Sequence, residues 1–136
     1  MKKETLKSIF NFIEEKEARK TPFLWKLLND EPLTKDELVV KGNLDLSDTK
    51  IRTLPKGFKV GGNLYLTNCK SLTSLPGGLQ VGGLLNLVYT KIRTLPKGLE
   101  VGGALIIVRT NFTNFSDDEI RDMIKPGFIR GNIYRQ

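Results

Sequence analysis

The chain has no histidine and a single cysteine among its 136 residues. Without histidine, serine and cysteine triads that use an imidazole base are excluded, and so are the usual zinc sites. The lone Cys69 leaves no internal disulfide framework. No apolar run approaches the ~20 residues needed to cross a bilayer, so no membrane partner is expected. Met1-Lys2-Lys3 has the start of a signal peptide, but Glu4 and the charged run from Glu14 to Lys20 leave no unbroken apolar stretch behind it. A cytoplasmic protein follows as the expectation. Carboxylates are also scarce where it matters. Residues 42–110 carry nine Lys and Arg against three Asp and Glu, which supplies six of the net charge of +7. A localised positive surface favours an anionic partner.

What the chain does have is one phrase written four times. Val40-Lys41-Gly42-Asn43-Leu44-Asp45-Leu46 is followed by Val60-Gly61-Gly62-Asn63-Leu64-Tyr65-Leu66. Then come Val81-Gly82-Gly83-Leu84-Leu85-Asn86-Leu87 and Val101-Gly102-Gly103-Ala104-Leu105-Ile106-Ile107. A period of 20 or 21 residues means a solenoid, each repeat burying its apolar side on the next. Leu44 and Leu46, with their counterparts in each copy, alternate with other residues and are expected inside. Further on, Thr49, Cys69, Thr90 and Thr110 share one position, and Ile51, Leu72, Ile92 and Phe112 the next apolar one. Pro55, Pro76 and Pro96, each followed two residues later by glycine, give ordinary turn chemistry. The second copy has one extra residue between Cys69 and Leu72, so a bulge is expected there.

The flanks read as helical. Leu6, Ile9, Phe10 and Ile13 form one stripe, and Thr21-Pro22 opens a second helix that Asn29-Asp30-Glu31-Pro32 stops. Thr34 to Glu37 has capping-box spacing and predicts one more turn. Ser116 to Glu119 repeats that signature and opens a short helix through Ile120, Met123 and Ile124. These segments would cap the raw ends of the stack. The tail from Phe128 to Arg135 alternates imperfectly, which leaves open an added edge strand, a cover over the repeats or a loose end.

The pattern Leu-x-Leu-x-x-(Thr/Cys)-x-Ile-x-x-Leu-Pro resembles the leucine-rich repeat, over roughly residues 38–115. Its Val-Gly-Gly phrasing is similar to short repeat proteins of bacterial and bacteriophage genomes. The resemblance implies an α/β repeat solenoid, a leucine-rich-repeat-like stack of short parallel strands with helical caps at both ends. The divisions would be 1–38 for the N-terminal cap, 39–115 for the repeats and 116–136 for the C-terminal helix and tail. It is specific for fold and says almost nothing of activity, because architecture alone defines that family. No cofactor and no catalytic activity are expected, since no constellation of residues stands out for chemistry. Phage-like phrasing suggests an inhibitor that occupies a surface of a host protein. Two positions depart from the family. Lys41, Gly61, Gly82 and Gly102 stand where its first leucine belongs, and threonine or Cys69 replaces its asparagine. A hydroxyl makes fewer bonds than an amide, so a weaker inner ladder is expected.

Two surfaces are candidates for binding. The outward strand positions turn from polar in the first two copies to apolar in the last two. Tyr65, Leu84, Asn86, Val88, Tyr89, Ile106, Val108 and Arg109 are the expected contact residues for a protein partner, and an apolar patch of this kind marks contact sites. The second surface is a ladder of Lys50, Lys70 and Lys91, with Arg52 and Arg93 two residues on and Lys97 after the last proline. It would steer an acidic patch on that partner. Nucleic acid is the alternative, weakened by the lack of aromatic residues interleaved with the lysines. A homodimer through the apolar strand face is the third reading.

Overall fold

Each Val of the repeated phrase closes one two-residue strand, and the leucine after the glycines opens another. The computed structural model describes residues 20–29 and 31–135. The strands are β1 (Val39–Val40), β2 (Leu44–Asp45), β3 (Lys59–Val60), β4 (Leu64–Tyr65) and β5 (Gln80–Val81). They continue as β6 (Leu85–Asn86), β7 (Glu100–Val101), β8 (Leu105–Ile106), β9 (Phe128–Ile129) and β10 (Ile133–Tyr134). Among the described residues two helices accompany them, α1 (Lys20–Leu28) and α2 (Asp117–Met123). The odd strands pair in parallel as a first sheet, β1-β3-β5-β7-β9, and the even ones as a second, β10-β8-β6-β4-β2. The architecture is a parallel-strand β-solenoid with little helix. The expected stripe at Leu6 to Ile13 lies outside the described residues.

Register follows the repeat. Val40, Val60, Val81, Val101 and Ile129 align in the first sheet, and Leu44, Leu64, Leu85, Leu105 and Ile133 in the second. The core is one ribbon through all levels. Leu46, Leu66, Leu87 and Ile107 are fully buried, as are Ile51, Leu72, Ile92 and Phe112. Each such side chain contributes about 1.5–3 kcal/mol on burial. Ser71, the extra residue of the second coil, sits in a turn closed by Leu72 N–H on Cys69 O at 3.2 Å.

The glycine pairs form the corner between the sheets, and close stacking is what demands them. A Cβ on Gly82 would lie 2.2 Å from Gly61 O, and one on Gly102 2.2 Å from Gly82 O. Lys41 is tolerated at the same position because its coil is the first. The threonines that follow second-sheet strands bond locally. Thr49, Thr90 and Thr110 each donate a hydroxyl to the carbonyl three residues earlier, at 2.7, 2.8 and 2.6 Å. These bonds tie each coil to itself.

The tail supplies the fifth level of both sheets, which decides among the three readings of its alternation. Between β8 and β9 the chain inserts α2, with the predicted capping box present: Glu119 N–H donates to Ser116 Oγ and Ser116 N–H to Glu119 Oε1. Ile120 and Ile124 are buried. Gly98 N–H donates to Ile124 O at 2.8 Å, where Gly78 N–H, one coil earlier, donates to Lys97 O. The end of the helix therefore takes the place of the next turn. Arg121 reaches across the last level and donates to Ile129 O and Gly131 O. At the other end, Leu27 of α1 is buried and the Phe23 ring stacks 6.3 Å from that of Phe58. Lys26 pairs with Glu37 at 2.8 Å. The predicted turn at Thr34 closes with Glu37 N–H on Thr34 Oγ1 and Thr34 N–H on Glu37 Oε1. The Lys26 bond, with that of the Thr34 amide, holds the Glu37 carboxyl below its ordinary range.

Candidate protein-binding face

The second sheet turns one column of side chains outward at each level: Asp45, Tyr65, Asn86, Ile106 and Tyr134. Flanking it are Leu84 and Ala104 on the corner side, and Val88 and Val108 on the other. Tyr65, Leu84, Asn86, Val88, Ile106 and Val108 are all half-buried. The tail extends this face as a fifth level, pairing beside β8 and adding Tyr134, 46% exposed. Tyr134 was absent from the sequence-based set. A signal for it existed, since Gly131-Asn132-Ile133-Tyr134 matches Gly62-Asn63-Leu64-Tyr65 at three of four positions.

Internal hydrogen bonds hold the polar members in place. Asn43 Oδ1 accepts from Asn63 N–H at 2.7 Å, and Asn63 Oδ1 from Leu84 N–H at 2.8 Å. Gly62 and Gly83 leave room for these two amides. Asn63 Nδ2 then donates to the Tyr65 hydroxyl at 2.9 Å, and Asn132 Nδ2 to that of Tyr134 at 3.3 Å. Asn86 Oδ1 accepts from Val88 N–H, and Asp45 Oδ1 from Ser47 N–H. The bonds from Ser47 hold the Asp45 carboxyl below its ordinary range. The face is preorganised.

Beyond the second sheet every coil turns a corner on one residue with positive φ: Asp48 (62°), Asn68 (61°), Tyr89 (60°) and Arg109 (59°). Asp and Asn tolerate this left-handed region, and Asn68 Nδ2 donates to Asp48 Oδ1 at 2.7 Å. Tyr89 and Arg109 do not fit it as well, since they lack the short polar side chain that lets Asn and Asp bond locally and offset the roughly 1–2 kcal/mol that a Cβ costs there. Tyr89 is 49% exposed, and the Arg109 guanidinium lies 5.9 Å from its ring centroid. The two sit between the apolar column and the basic ladder.

Lys50, Arg52, Lys70, Lys91, Arg93 and Lys97 are exposed on the leg that follows this corner. Thr49 Oγ1 and Cys69 Sγ are 3.8 Å apart, so Lys50 and Lys70 occupy equivalent places on successive coils. The ladder stops at the third coil, where Asn111 follows and donates to Ile92 O. Cys69 is buried, donates to Leu46 O at 2.9 Å, and burial pushes its thiol up. Among the described residues no cluster of acidic or cysteine side chains could hold a metal ion, and no helix is long and apolar enough to cross a membrane.

The chain matches no family model, and no curated protein and no solved structure is significantly similar to it. The likeness to leucine-rich repeats therefore stands on its own residues.

Proposed function

We propose that this is a non-catalytic binding module, a leucine-rich-repeat-like surface held rigid for a protein partner. One observation carries the reading. The left-handed corner takes Asp and Asn cheaply in the first two coils, yet the last two place Tyr89 and Arg109 there. Backbone strain of roughly 1–3 kcal/mol at a non-glycine residue concentrates where a surface does work. Tyrosine and arginine are also the residues that dominate binding energy at interfaces. Beside them stand Leu84, Val88, Ile106 and Val108 as apolar contacts, and Tyr134 at the end.

The basic ladder steers an acidic patch of that partner toward this face, raising the rate of encounter more than the final affinity. Helices α1 and α2 serve as caps of the stack. A single buried thiol suits a reducing compartment, and we place the protein in the cytoplasm. Its phage-like phrasing favours an inhibitor that occupies a surface of a host protein.

The double variant Val88→Asp/Ile106→Asp tests the reading, with tagged full-length chain used to capture partners from cell extract before and after nuclease. Wild type is expected to retain one stoichiometric protein that survives nuclease. The variant should lose it while keeping its circular dichroism and melting temperature. Capture that survives the substitutions would sink the face, and capture lost to nuclease would favour a polyanion held by Lys50, Lys70 and Lys91.

A further inference from the structure

The first sheet has its own outward column, set by the register as Val39, Lys59, Gln80, Glu100 and Phe128. Its order is apolar, positive, neutral, negative, apolar. Val39 is 49% exposed and Phe128 37%. Lys59 and Glu100 lie one level either side of Gln80, so at roughly 4.8 Å per level they stand about 10 Å apart. Gln80 stands between them, and neither enters an ion pair among the described residues. Beside the column runs the corner track of Gly61, Gly82 and Gly102, where no side chain rises. Together they line a shallow groove of about 290 Å³, with Arg130 also in its wall.

We propose that this column is self-complementary and pairs with a second copy of the chain, the two stacks running antiparallel. A two-fold axis lying between the sheets, parallel to the strands and level with Gln80, reverses the order of levels and keeps the strand direction. Lys59 then faces Glu100 of the second copy, and Glu100 faces its Lys59. Gln80 faces Gln80, two amides able to donate and accept across the axis. Val39 covers Phe128 at both ends. One contact made twice is the signature of a closed dimer. The other in-plane axis, along the stack, sets Lys59 against Lys59 and Glu100 against Glu100, so the charges select one arrangement. The glycine track lets the backbones approach.

Two features keep this association weak. Strands of two residues offer a narrow contact, below the about 1,200 Å² of standard interfaces. The same axis also brings Lys41 opposite Arg130 at the rim, a repulsion their long side chains relieve only by splaying. Arg130 already folds over the Phe128 ring, 4.7 Å from its centroid. This surface belongs to the first sheet and does not involve the face assigned to the protein partner.

Molar mass of the full chain by sedimentation equilibrium, at low and high concentration, gives the test. Wild type is expected to move toward twice the monomer mass. Lys59→Glu alone and Glu100→Lys alone should each weaken association by about tenfold or more. Mixing those two variants should restore it, because each then offers the charges the other lacks, and the double variant should restore it alone. Both sites are surface positions, so melting temperatures should stay close to wild type. A wild-type monomer at every concentration overturns the proposal. So does association that survives the single variants, or a mixture that fails to recover. Loss of association in Val88→Asp/Ile106→Asp instead would place self-association on the second sheet and overturn it equally.

Discussion

Tyr89 shows how one residue can oppose the fold that holds it. The corner it occupies is set by the coil, since Asp48, Asn68 and Arg109 share its conformation in theirs. Asparagine would sit there at less cost and would stack on Asn68, as Asn68 does on Asp48. The arginine–tyrosine contact offsets part of the strain, at about 0.5–1 kcal/mol for an exposed pair. Tyr89→Asn is therefore expected to hold or raise stability, by up to about 1 kcal/mol, while weakening capture of the protein partner. Urea unfolding and the same capture assay check both halves. A loss of stability above about 1 kcal/mol would mean the ring is kept for packing and not for contact. That Tyr89 lies at the edge of the strand face was readable from its place in the repeat. Its strain was not, because φ at that corner depends on how the coil closes.

At the scale of the element, the strands and their partners were legible and the reason for the glycines was not. Period and alternation placed Leu46, Leu64, Leu66, Leu85, Leu87 and Leu105 inside, because stacking copies must align like with like. Leu44 of the first coil is only half-buried, and the fully buried Leu79 and Leu99 after the turn glycines were not picked out. The glycine pairs look like turn chemistry in the sequence. Positive φ belongs instead to Gly57, Gly78 and Gly98, after the prolines. The pairs are fixed by contact between coils, which one repeat cannot reveal. This makes Gly82 and Gly42 a matched test. Gly82→Ala drives a Cβ to 2.2 Å from a backbone oxygen, whereas a Cβ on Gly42 meets nothing within 4 Å. The first should cost at least the upper end of the about 1–3 kcal/mol usual for overpacking. The second should stay within about 0.5 kcal/mol of wild type. Equal losses in thermal unfolding would show that chain flexibility, and not stacking, sets the need for glycine.

Across the whole molecule, stability passes from coil to coil, so the ends matter more than their size suggests. In the sequence the fifth level was one of three open readings of the tail, because α2 interrupts the period and because Phe128 and Arg130 replace the usual residues. Its last carbonyls are where a growing sheet would be open. Val81 O accepts from Gly102 N–H, Val101 O from Arg130 N–H, and Gly103 O from Gly131 N–H. Ile129 O and Gly131 O hold the same places one level on, and the Arg121 guanidinium donates to both. One planar fork thus stands in for two amides of a further coil, and blunts an edge that would otherwise recruit another strand. Arg121→Ala should remove about 1.5–3 kcal/mol from the last level, the usual worth of hydrogen bonds to a charged group. In a one-dimensional stack that loss is local. Amide exchange should quicken at Phe128, Arg130 and Gly131, and at Leu105 and Ile107, whose N–H groups donate to Asn132 O and Tyr134 O. Leu64, Leu66 and Gly82 should keep their protection. A uniform rise in exchange along the chain would show that the coils unfold as one unit, and unchanged exchange at the last level would show that Arg121 does not hold it.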